Sequence, residues 1–287
     1  MTTTLSPQTS DAATNAPGQR VGLSHGITHF ELSGPRSGQT VVLIHGVATP
    51  YFVWDATVPA LVEAGLQVLR YDLYGRGYSA KPDVDYTGDL FVQQLAELLN
   101  TLSLSERVDV LGISLGGMIA PLFTACYPQR VRRLGLIAPG GVGLEKPPIA
   151  KVMTAPRLGE WMVDKFGERA LHKGVPKMFG DPARAADFLA KAAPHYQDPR
   201  FRRAYLSTAR HLAFRDISDT FRQVNQNSHP VLLLWGREDK TVPFENHSLV
   251  MALLPNAEFH PLDGANHIPP YEMPEVVNPI LVEFFTR

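Results

Sequence analysis

The sequence predicts an α/β fold, with a mostly parallel central sheet, helices on both faces of the sheet and an inserted helical cap. From about residue 28, short apolar runs alternate with longer runs of helical periodicity, as they do where crossover helices join parallel strands. This alternation stops between about residues 141 and 221, where helical runs separated by Gly and Pro dominate, and then resumes. An all-helical insertion in such a pattern predicts a lid at the end of the sheet where ligands bind in open α/β folds.

Each predicted element depends on a local pattern. Residues 41–45 form a continuous apolar run between turn residues, as expected of a strand that is buried on both faces. The helix at 90–102 repeats apolar residues at a period of about 3.6 residues, and the helix at 115–126 is stopped by Pro128. Further strands are predicted at 67–71, 107–113, 131–138, 231–235 and 257–262, and further helices at 53–63, 158–166, 182–192, 201–214 and 274–285.

The pattern divides the chain into a tail, a core and a cap. Residues 1–19 are rich in Thr, Ser, Ala, Pro and Gln and lack the apolar stretch of about 7–15 residues of a secretory signal, so we expect a disordered tail. Residues 20–140 and 222–287 are predicted to form the α/β core, and residues 141–221 the cap. Since nowhere are about 18 consecutive residues apolar, we expect no transmembrane helix.

Composition narrows the classes of partner and cofactor. Of the 287 residues 44% are hydrophobic and 19% charged, and the formal net charge of −1 gives no electrostatic reason to expect nucleic acid or an acidic membrane surface as partner. Basic residues gather at 200–210, but their acidic and apolar neighbours favour a solvated helix face. The ten histidines show no HxH or HExxH spacing, so neither a metal nor another cofactor is expected.

The single cysteine, Cys126, excludes an intrachain disulfide. It lies in an apolar run, which predicts a buried thiol. The lack of disulfides favours a reducing compartment, so we expect a cytoplasmic protein. The sequence leaves the oligomeric state open.

The strongest local signal is the Gly-x-Ser-x-Gly motif at residues 112–116, between a predicted strand and a predicted helix. Its glycines allow a turn so tight that a Cβ would clash, and Ser114 is left exposed above the sheet. The helix that follows points its N-terminus at the same place, so the Leu115 N–H group favours a developing oxyanion. In this context the motif predicts a catalytic nucleophile.

A serine hydroxyl needs a base to remove its proton, and in this architecture an acid and then a histidine follow the serine along the chain. His267 fits the base, because it lies in a loop between the last predicted strand and the last predicted helix. The rival His260 falls within a predicted strand. The acid is expected just after the strand at 231–235, where Glu238 and Asp239 both carry carboxylates, and these residues alone leave that choice open.

Four more patterns occur along the chain. They are Trp-Gly-x-x-Asp-x-x-x-Pro at Trp235, Gly236, Asp239 and Pro243; Gly-x-x-His-x-Pro-x-x-Glu at Gly264, His267, Pro269 and Glu272; His-Gly at His45 and Gly46; and Asp-x-x-Gly-x-Gly-x-Ser at Asp72, Gly75, Gly77 and Ser79. With the serine motif they make the sequence resemble the α/β-hydrolase-fold family over residues 28–287. The resemblance implies that Asp239 is the acid, that the Val47 N–H group is a second oxyanion donor, and that His45 shapes its loop without doing chemistry.

The expected nucleophile narrows the reaction. Haloalkane dehalogenases and epoxide hydrolases of this family use an aspartate at the elbow, whereas this chain has Ser114, so we expect acyl transfer through a serine ester. The first hypothesis is a carboxylesterase or lipase-like hydrolase whose partner is a small to medium, apolar ester. Large side chains of the insertion are candidates for its acyl pocket: Met153, Trp161, Met162, Phe166, Met178, Phe179, Tyr196 and Phe214.

Two alternatives stay open. The lidded layout also resembles carbon–carbon hydrolases of ring-cleavage dienones, which commonly have an aromatic residue after the catalytic histidine and a Gly-rich or Ser-Gly turn at the oxyanion position. Ile268 follows His267 here and residues 47–50 follow Gly46, and both departures count against this alternative. The other alternative is a small-molecule receptor on a hydrolase scaffold that turns over slowly.

Overall fold

The computed structural model describes residues 17–104, 106–143, 146 and 148–287. Its centre is an eight-stranded sheet made of β1 (Gln19–Leu23), β2 (Gly26–Ser33), β3 (Thr40–Ile44), β4 (Gln67–Tyr71), β5 (Val108–Ile113), β6 (Val131–Ile137), β7 (Val231–Gly236) and β8 (Glu258–Leu262). The strands lie in the order β1-β2-β4-β3-β5-β6-β7-β8. Pairs β1–β2 and β2–β4 are antiparallel and all other neighbours are parallel, which confirms the predicted α/β fold with a mostly parallel sheet.

The antiparallel edge of the sheet departs from the sequence prediction, which names no strand before residue 41 and extends a disordered tail to residue 19. Gln19 instead begins β1 and pairs with Phe30 of β2. No residue of β1 is fully buried, so its hydrophobic pattern is faint. His29 Nε2 lies 2.6 Å from the Pro17 carbonyl and attaches the chain before β1 to the sheet. Residues 1–16 of the predicted tail lie outside the described residues.

Helices surround this sheet. In the described residues they are α1 (Thr57–Glu63), α2 (Gly88–Thr101), α3 (Gly116–Cys126), α4 (Pro148–Met153), α5 (Leu158–Gly174), α6 (Pro182–Gln197), α7 (Pro199–His211), α8 (Ser218–Gln226), α9 (His247–Leu253), α10 (Pro269–Glu272) and α11 (Pro274–Thr286). α6 and α7 begin directly after Asp181 and Asp198, whose side chains accept hydrogen bonds from N–H groups of the first turn. A proline follows each aspartate, as suits the first helical position.

Both faces of the sheet are covered, and β3 shows how. Val42 and Ile44 pack in a cluster with side chains of α2, α3 and α8. Val41 and Leu43 point to the opposite face and pack with side chains of α1 and α11. Burial on both faces is the reason that this strand is apolar along its length.

The described residues between β6 and β7 form α4 to α8 and contain no strand. Of these helices, α4 to α7 lie wholly within the segment predicted as the cap. α8 crosses the predicted boundary at residues 221 and 222, because its fully buried Phe221 packs in the same core cluster as α3. Nowhere in the described part of the chain is a helix long and apolar enough to cross a bilayer.

The prediction of a buried thiol is wrong. Cys126 is the last residue of α3 and is exposed. The apolar run before it is buried as expected, Phe123 completely, but the helix ends at Cys126 and the chain turns outward. Partial burial and the charge of Asp89 still raise the pKa of this thiol above its ordinary value.

Candidate active site

Ser114 occupies a strained turn between β5 and α3. Its φ of 55° lies in the left-handed region that residues other than glycine rarely adopt. Two backbone hydrogen bonds hold the turn: the Ser114 N–H donates to the Ile137 carbonyl at 2.9 Å, and the Ser114 carbonyl accepts from the Gly140 N–H at 3.2 Å. A Cβ at Gly112 or Gly116 would lie 2.1 Å from a backbone oxygen, so both flanking positions require glycine.

His267 and Asp239 form a buried pair. His267 Nδ1 lies 2.7 Å from Asp239 Oδ2, and both side chains are inaccessible to solvent. The other carboxylate oxygen, Oδ1, accepts from the N–H groups of Thr241 at 2.8 Å and Val242 at 3.0 Å. Because a carboxylate only accepts, Nδ1 carries a proton and Nε2 of the neutral ring is an acceptor. The carboxylate of Glu238, left as a choice by the sequence, is exposed and does not contact His267.

His267 Nε2 is buried without a hydrogen-bond partner among the described residues, so it is not joined to Ser114 Oγ in this structure. Hydrogen bonds between a nucleophile and its base are often long before a substrate binds and shorten in the complex. The rival His260 lies on β8, where its Nε2 is 2.8 Å from Glu258 Oε1. Of the three side chains predicted for catalysis, two are therefore in contact, and their catalytic roles stay predictions.

The two predicted oxyanion donors flank Ser114. Leu115 follows it directly and precedes α3. The loop that carries Val47 comes close because Gly46 has no side chain: a Cβ there would lie 3.3 Å from Ser114 Cβ. Thr49 Oγ1 accepts the Gly46 N–H at 2.8 Å, whereas the N–H groups of Val47 and Leu115 have no acceptor among the described residues. Neither N–H group is therefore committed to a bond within the described residues.

His45 supports the loop that carries Val47. Its Nδ1 donates to the Gly46 carbonyl at 2.8 Å and its Nε2 accepts from the Leu73 N–H at 2.9 Å, so the ring is neutral. Burial lowers the pKa of His45 to about 4, which keeps it neutral at physiological pH. The side chain has no free ring nitrogen, in keeping with a role in shaping the loop.

Asp72 is a second buried carboxylate, on the other side of the same loop. Its Oδ1 accepts from the Tyr51 N–H at 3.0 Å, and its Oδ2 lies 2.8 Å from His29 Nδ1. Burial by itself would raise the pKa of Asp72, but the hydrogen bond from His29 and the charges of the neighbouring histidines bring it to about 2. All its oxygens are occupied by this framework, so Asp72 holds the loop and is not available to a substrate.

Arg76 is a buried residue near the site that the sequence patterns do not single out. Its Nε donates to the Val47 carbonyl at 3.2 Å and its Nη2 to Thr208 Oγ1 of α7 at 2.7 Å. No carboxylate pairs with it among the described residues, and burial lowers its pKa to about 10. Arg76 occupies a position of the 72–79 pattern at which any residue is allowed. The only sequence signal for a special role is therefore an arginine between two glycines.

A cavity of about 260 Å³ reaches Ser114. The described residues that line it are Val47, Ala48, Ser114 and Thr241 of the core and Met153, Val163, Gly167, Ala170, Leu171, Gly174, Val175, Met178, Arg202 and Tyr205 of the insertion. Of the eight side chains predicted for an acyl pocket, only Met153 and Met178 are among them. Trp161 and Phe166 lie on the outer surface, with exposed fractions of 55% and 53%. Periodicity groups residues on one face of a helix but does not tell which face meets the sheet.

Arg202 is the one charged side chain among the described residues that line the cavity. Its Nη1 donates to the carbonyls of Tyr196 at 3.0 Å and Gln197 at 2.8 Å, at the end of α6. Its Nε is buried and has no partner among the described residues. The guanidinium is therefore held in place, and its positive charge at the wall of the cavity favours a ligand that carries a carboxylate.

Hydrogen bonds attach the insertion to the loop of His267. The His267 N–H donates to the Met178 carbonyl at 3.0 Å. Glu272 Oε1 accepts from the N–H groups of Gly180 at 2.5 Å and Asp181 at 2.7 Å, directly before α6. Glu272 belongs to the same sequence pattern as His267, and in the structure it binds the turn at residues 178–181 of the insertion.

No cluster of three or more His, Cys, Asp or Glu side chains suited to a metal ion occurs in the ranges that the structure describes. A family sequence profile described as the alpha/beta hydrolase family matches residues 41–280, which is most of the chain. The chain belongs to the alpha/beta hydrolase family. The resemblance and the fold class predicted from the sequence are thereby confirmed.

Other alpha/beta hydrolases are similar to this chain over most of its length. A protein of Cupriavidus pinatubonensis named 2-hydroxy-6-oxononadienedioate/2-hydroxy-6-oxononatrienedioate hydrolase is 29% identical over 279 residues, which are 92% of this chain and 93% of that protein. The crystal structure of the enol-lactonase from Burkholderia xenovorans LB400 has a TM-score of 0.82 at 22% identity and covers 94% of this chain and 100% of that one. A thermophilic esterase from Thermogutta terrifontis has a TM-score of 0.81 at 25% identity, covering 94% of this chain and 98% of that one.

Proposed function

We propose that this alpha/beta hydrolase is a serine esterase that cleaves carboxylic esters of small to medium, apolar substrates. The observation that carries the proposal is the placement of Ser114, held in its turn at the wall of a cavity lined almost wholly by apolar side chains. The buried pair of Asp239 and His267 supplies the base that such a serine needs. The likeness to the esterase of Thermogutta terrifontis supports the same class of reaction.

In the first half of the proposed reaction, Ser114 Oγ attacks the ester carbonyl carbon while His267 Nε2 takes the hydroxyl proton. Asp239 stabilises the imidazolium that forms and stays ionised itself. The carbonyl oxygen becomes an oxyanion and accepts hydrogen bonds from the N–H groups of Val47 and Leu115. Each such donor typically contributes about 2.7–4 kcal/mol to the transition state.

In the second half, the tetrahedral intermediate collapses and the bond to the leaving oxygen breaks. His267 returns its proton to that oxygen, so an alcohol departs and the acyl group remains as an ester on Ser114. Water then attacks this ester and gives a proton to His267. When the bond between the acyl carbon and Ser114 Oγ breaks, Oγ takes that proton from His267, and the carboxylic acid leaves with the serine restored.

A substrate panel combined with an activity-based probe tests this proposal. We expect a fluorophosphonate probe to label the wild type and the Ser37→Ala control, since Ser37 is exposed, but not Ser114→Ala. We also expect turnover of p-nitrophenyl esters to rise with acyl chain length until the cavity is filled. Labelling that is unchanged in Ser114→Ala would remove Ser114 as the nucleophile, and absence of ester turnover in a labelled enzyme would remove the esterase assignment.

Carbon–carbon bond hydrolysis of a ring-cleavage dienone is the second candidate function, and Arg202 favours it. A dienone acid carries a carboxylate, and Arg202 is the one charged side chain among the described residues that line the cavity. The relative from Cupriavidus pinatubonensis is named as a hydrolase of 2-hydroxy-6-oxononadienedioate and 2-hydroxy-6-oxononatrienedioate, which supports a substrate of this kind. Ile268 after His267 counts against it. Dienone cleavage without ester turnover in the same panel would place this candidate first, and ligand binding without turnover of either would indicate a receptor.

A further inference from the structure

The outer face of α5 carries apolar and basic side chains and no acidic ones. Successive residues of an α-helix are rotated by about 100°. Residues spaced i, i+3, i+4, i+7, i+8 and onward therefore lie on one face of the helix. At these positions α5 has the exposed residues Leu158, Trp161, Lys165, Phe166, Arg169 and Lys173, which we call the outer face of α5. Glu160, Asp164 and Glu168 form an acidic row that adjoins the outer face of α5 on the side of Trp161.

The apolar side chains of this face are exposed to solvent. Trp161 and Phe166 are the two most exposed large apolar side chains in the described part of the chain, at 55% and 53%, and Leu158 is 45% exposed. The rings of Trp161 and Phe166 meet edge to face with centroids 5.7 Å apart, so they form one continuous aromatic surface. Exposed apolar patches of this kind mark interaction sites more often than chance positions.

Two of the three basic side chains of this face have no acidic partner. Arg169 and Lys173 make no ion pair among the described residues, whereas Lys165 pairs with the exposed Asp164 at 3.7 Å. The chain's net charge of −1 hides a strong asymmetry: residues 148–211 contain 12 Lys and Arg against six Asp and Glu, and the rest contains 15 against 22. The segment that carries the aromatic pair is therefore cationic, although the whole chain is almost neutral.

We propose that the outer face of α5 binds the anionic surface of a phospholipid bilayer. Trp161 and Phe166 would enter the interface, where tryptophan is favoured, and Lys165, Arg169 and Lys173 would contact lipid phosphates. A second copy of the chain fits this face less well, because a two-fold interface would bring the cations of both copies into one contact. The proposal is independent of the reaction, since it concerns the side of α5 that faces away from the cavity.

The intrinsic fluorescence of the full chain gives a direct test. Of its three tryptophans, Trp54 and Trp235 are fully buried, so a lipid that quenches or shifts the emission must reach Trp161. We expect a blue shift with vesicles of phosphatidylglycerol and phosphatidylcholine in equal parts, and quenching when their acyl chains are brominated. Vesicles of phosphatidylcholine alone should give neither, and salt should weaken the binding. Absence of a lipid-dependent change with the anionic vesicles would overturn the proposal.

Matched variants separate this face from general attraction to anionic lipid. The triple variant Lys165→Gln, Arg169→Gln, Lys173→Gln should lose about fivefold in vesicle partitioning for each charge removed. Its control carries the same charge change at the exposed residues Lys177, Arg184 and Arg203 of the insertion and should bind nearly as the wild type. Phe166→Ser should also release the protein from vesicles, whereas Leu249→Ser, at an apolar side chain 45% exposed on α9, should not.

Two results would refute this assignment even if the protein sediments with vesicles. Equal loss of binding in the two triple variants would mean that the cations of the outer face have no special part. A dimer in lipid-free buffer that Phe166→Ser abolishes, measured by analytical ultracentrifugation, would mean that a second copy covers the face. Circular dichroism melting should show unchanged folding, because every substituted side chain is on the surface.

Discussion

Replacing Asp239 by Asn tests the proposed mechanism through the two carboxylate oxygens, which have different partners. Oδ1 accepts two backbone N–H groups, from Thr241 and Val242, so the amide oxygen of the substituted side chain must take this position. The amide NH2 then faces His267 Nδ1 in place of Oδ2. A donor at this place requires Nδ1 to be the acceptor, and the ring proton moves to Nε2. The imidazole then has no acceptor for the Ser114 proton.

The expected cost follows from this reversal of the ring tautomer. The side chain keeps its size and its two backbone hydrogen bonds, so we expect little change in the melting temperature. Turnover should fall by about 10⁴, which is equivalent to roughly 5.5 kcal/mol in the transition state, as in other triads where the acid becomes an amide. The assay is the kcat for a p-nitrophenyl ester, measured beside the thermal unfolding of each variant.

Glu238 provides the control, since it is the adjacent carboxylate and is exposed. Glu238→Gln should stay within about twofold of the wild type, as most surface substitutions do. A folded Asp239→Asn variant that keeps more than a tenth of the wild-type kcat would contradict the tautomer argument. A larger loss in Glu238→Gln than in Asp239→Asn would show that the acid is misassigned.

Three other changes test separate parts of the structure. Arg202→Met should raise KM at least tenfold for a substrate with a carboxylate and leave KM for an uncharged ester unchanged. The exposed Arg203→Met is the control, and equal effects on both substrates would contradict a contact between Arg202 and the carboxylate. Thr208→Val leaves Arg76 Nη2 without its acceptor and should lower the free energy of unfolding by about 1–3 kcal/mol in urea denaturation, whereas an unchanged midpoint would contradict it. The folded pKa of His45, about 4, lies below its ordinary 6.5, so the unfolded state takes up the proton first as the pH falls. The stability that the neutral ring contributes is present above pH 6.5 and is lost toward pH 4, by up to about 3 kcal/mol, and His45→Asn should reduce this slope in urea denaturation across the window.

The parts of the molecule that the sequence predicts well are those where backbone geometry dictates the residue type. The glycines on either side of Ser114 follow from one steric requirement, because a Cβ added at Gly112 or Gly116 would lie 2.1 Å from a backbone oxygen. The strand at 67–71 and the order of the core helices follow instead from the periodicity of apolar residues. The position of Asp239 beside His267 needed the family pattern, because Glu238 is equally placed along the chain.

The parts that the sequence does not predict depend on packing between distant segments. β1 pairs through its backbone at the sheet edge, where side chains carry little pattern. Arg76 donates a hydrogen bond to Thr208, which is more than a hundred residues away in the sequence. No local sequence pattern predicts a contact between such distant residues. Likewise the direction in which α5 turns Trp161 is set by the helices beneath it, so an aromatic residue predicted for the pocket lies outside instead.

The turn at residues 178–181 has a consequence for how this protein can be recombined with its relatives. Its carbonyl and N–H groups are bound by His267 and Glu272, so a foreign insertion grafted between β6 and β7 would leave the base loop without three hydrogen bonds. Two segments that are distant in the sequence must therefore be exchanged together: this turn and the segment from His267 to Glu272. Chimaeras that exchange both pieces together should keep the base in register, whereas those that exchange the insertion alone should fold with a misplaced histidine.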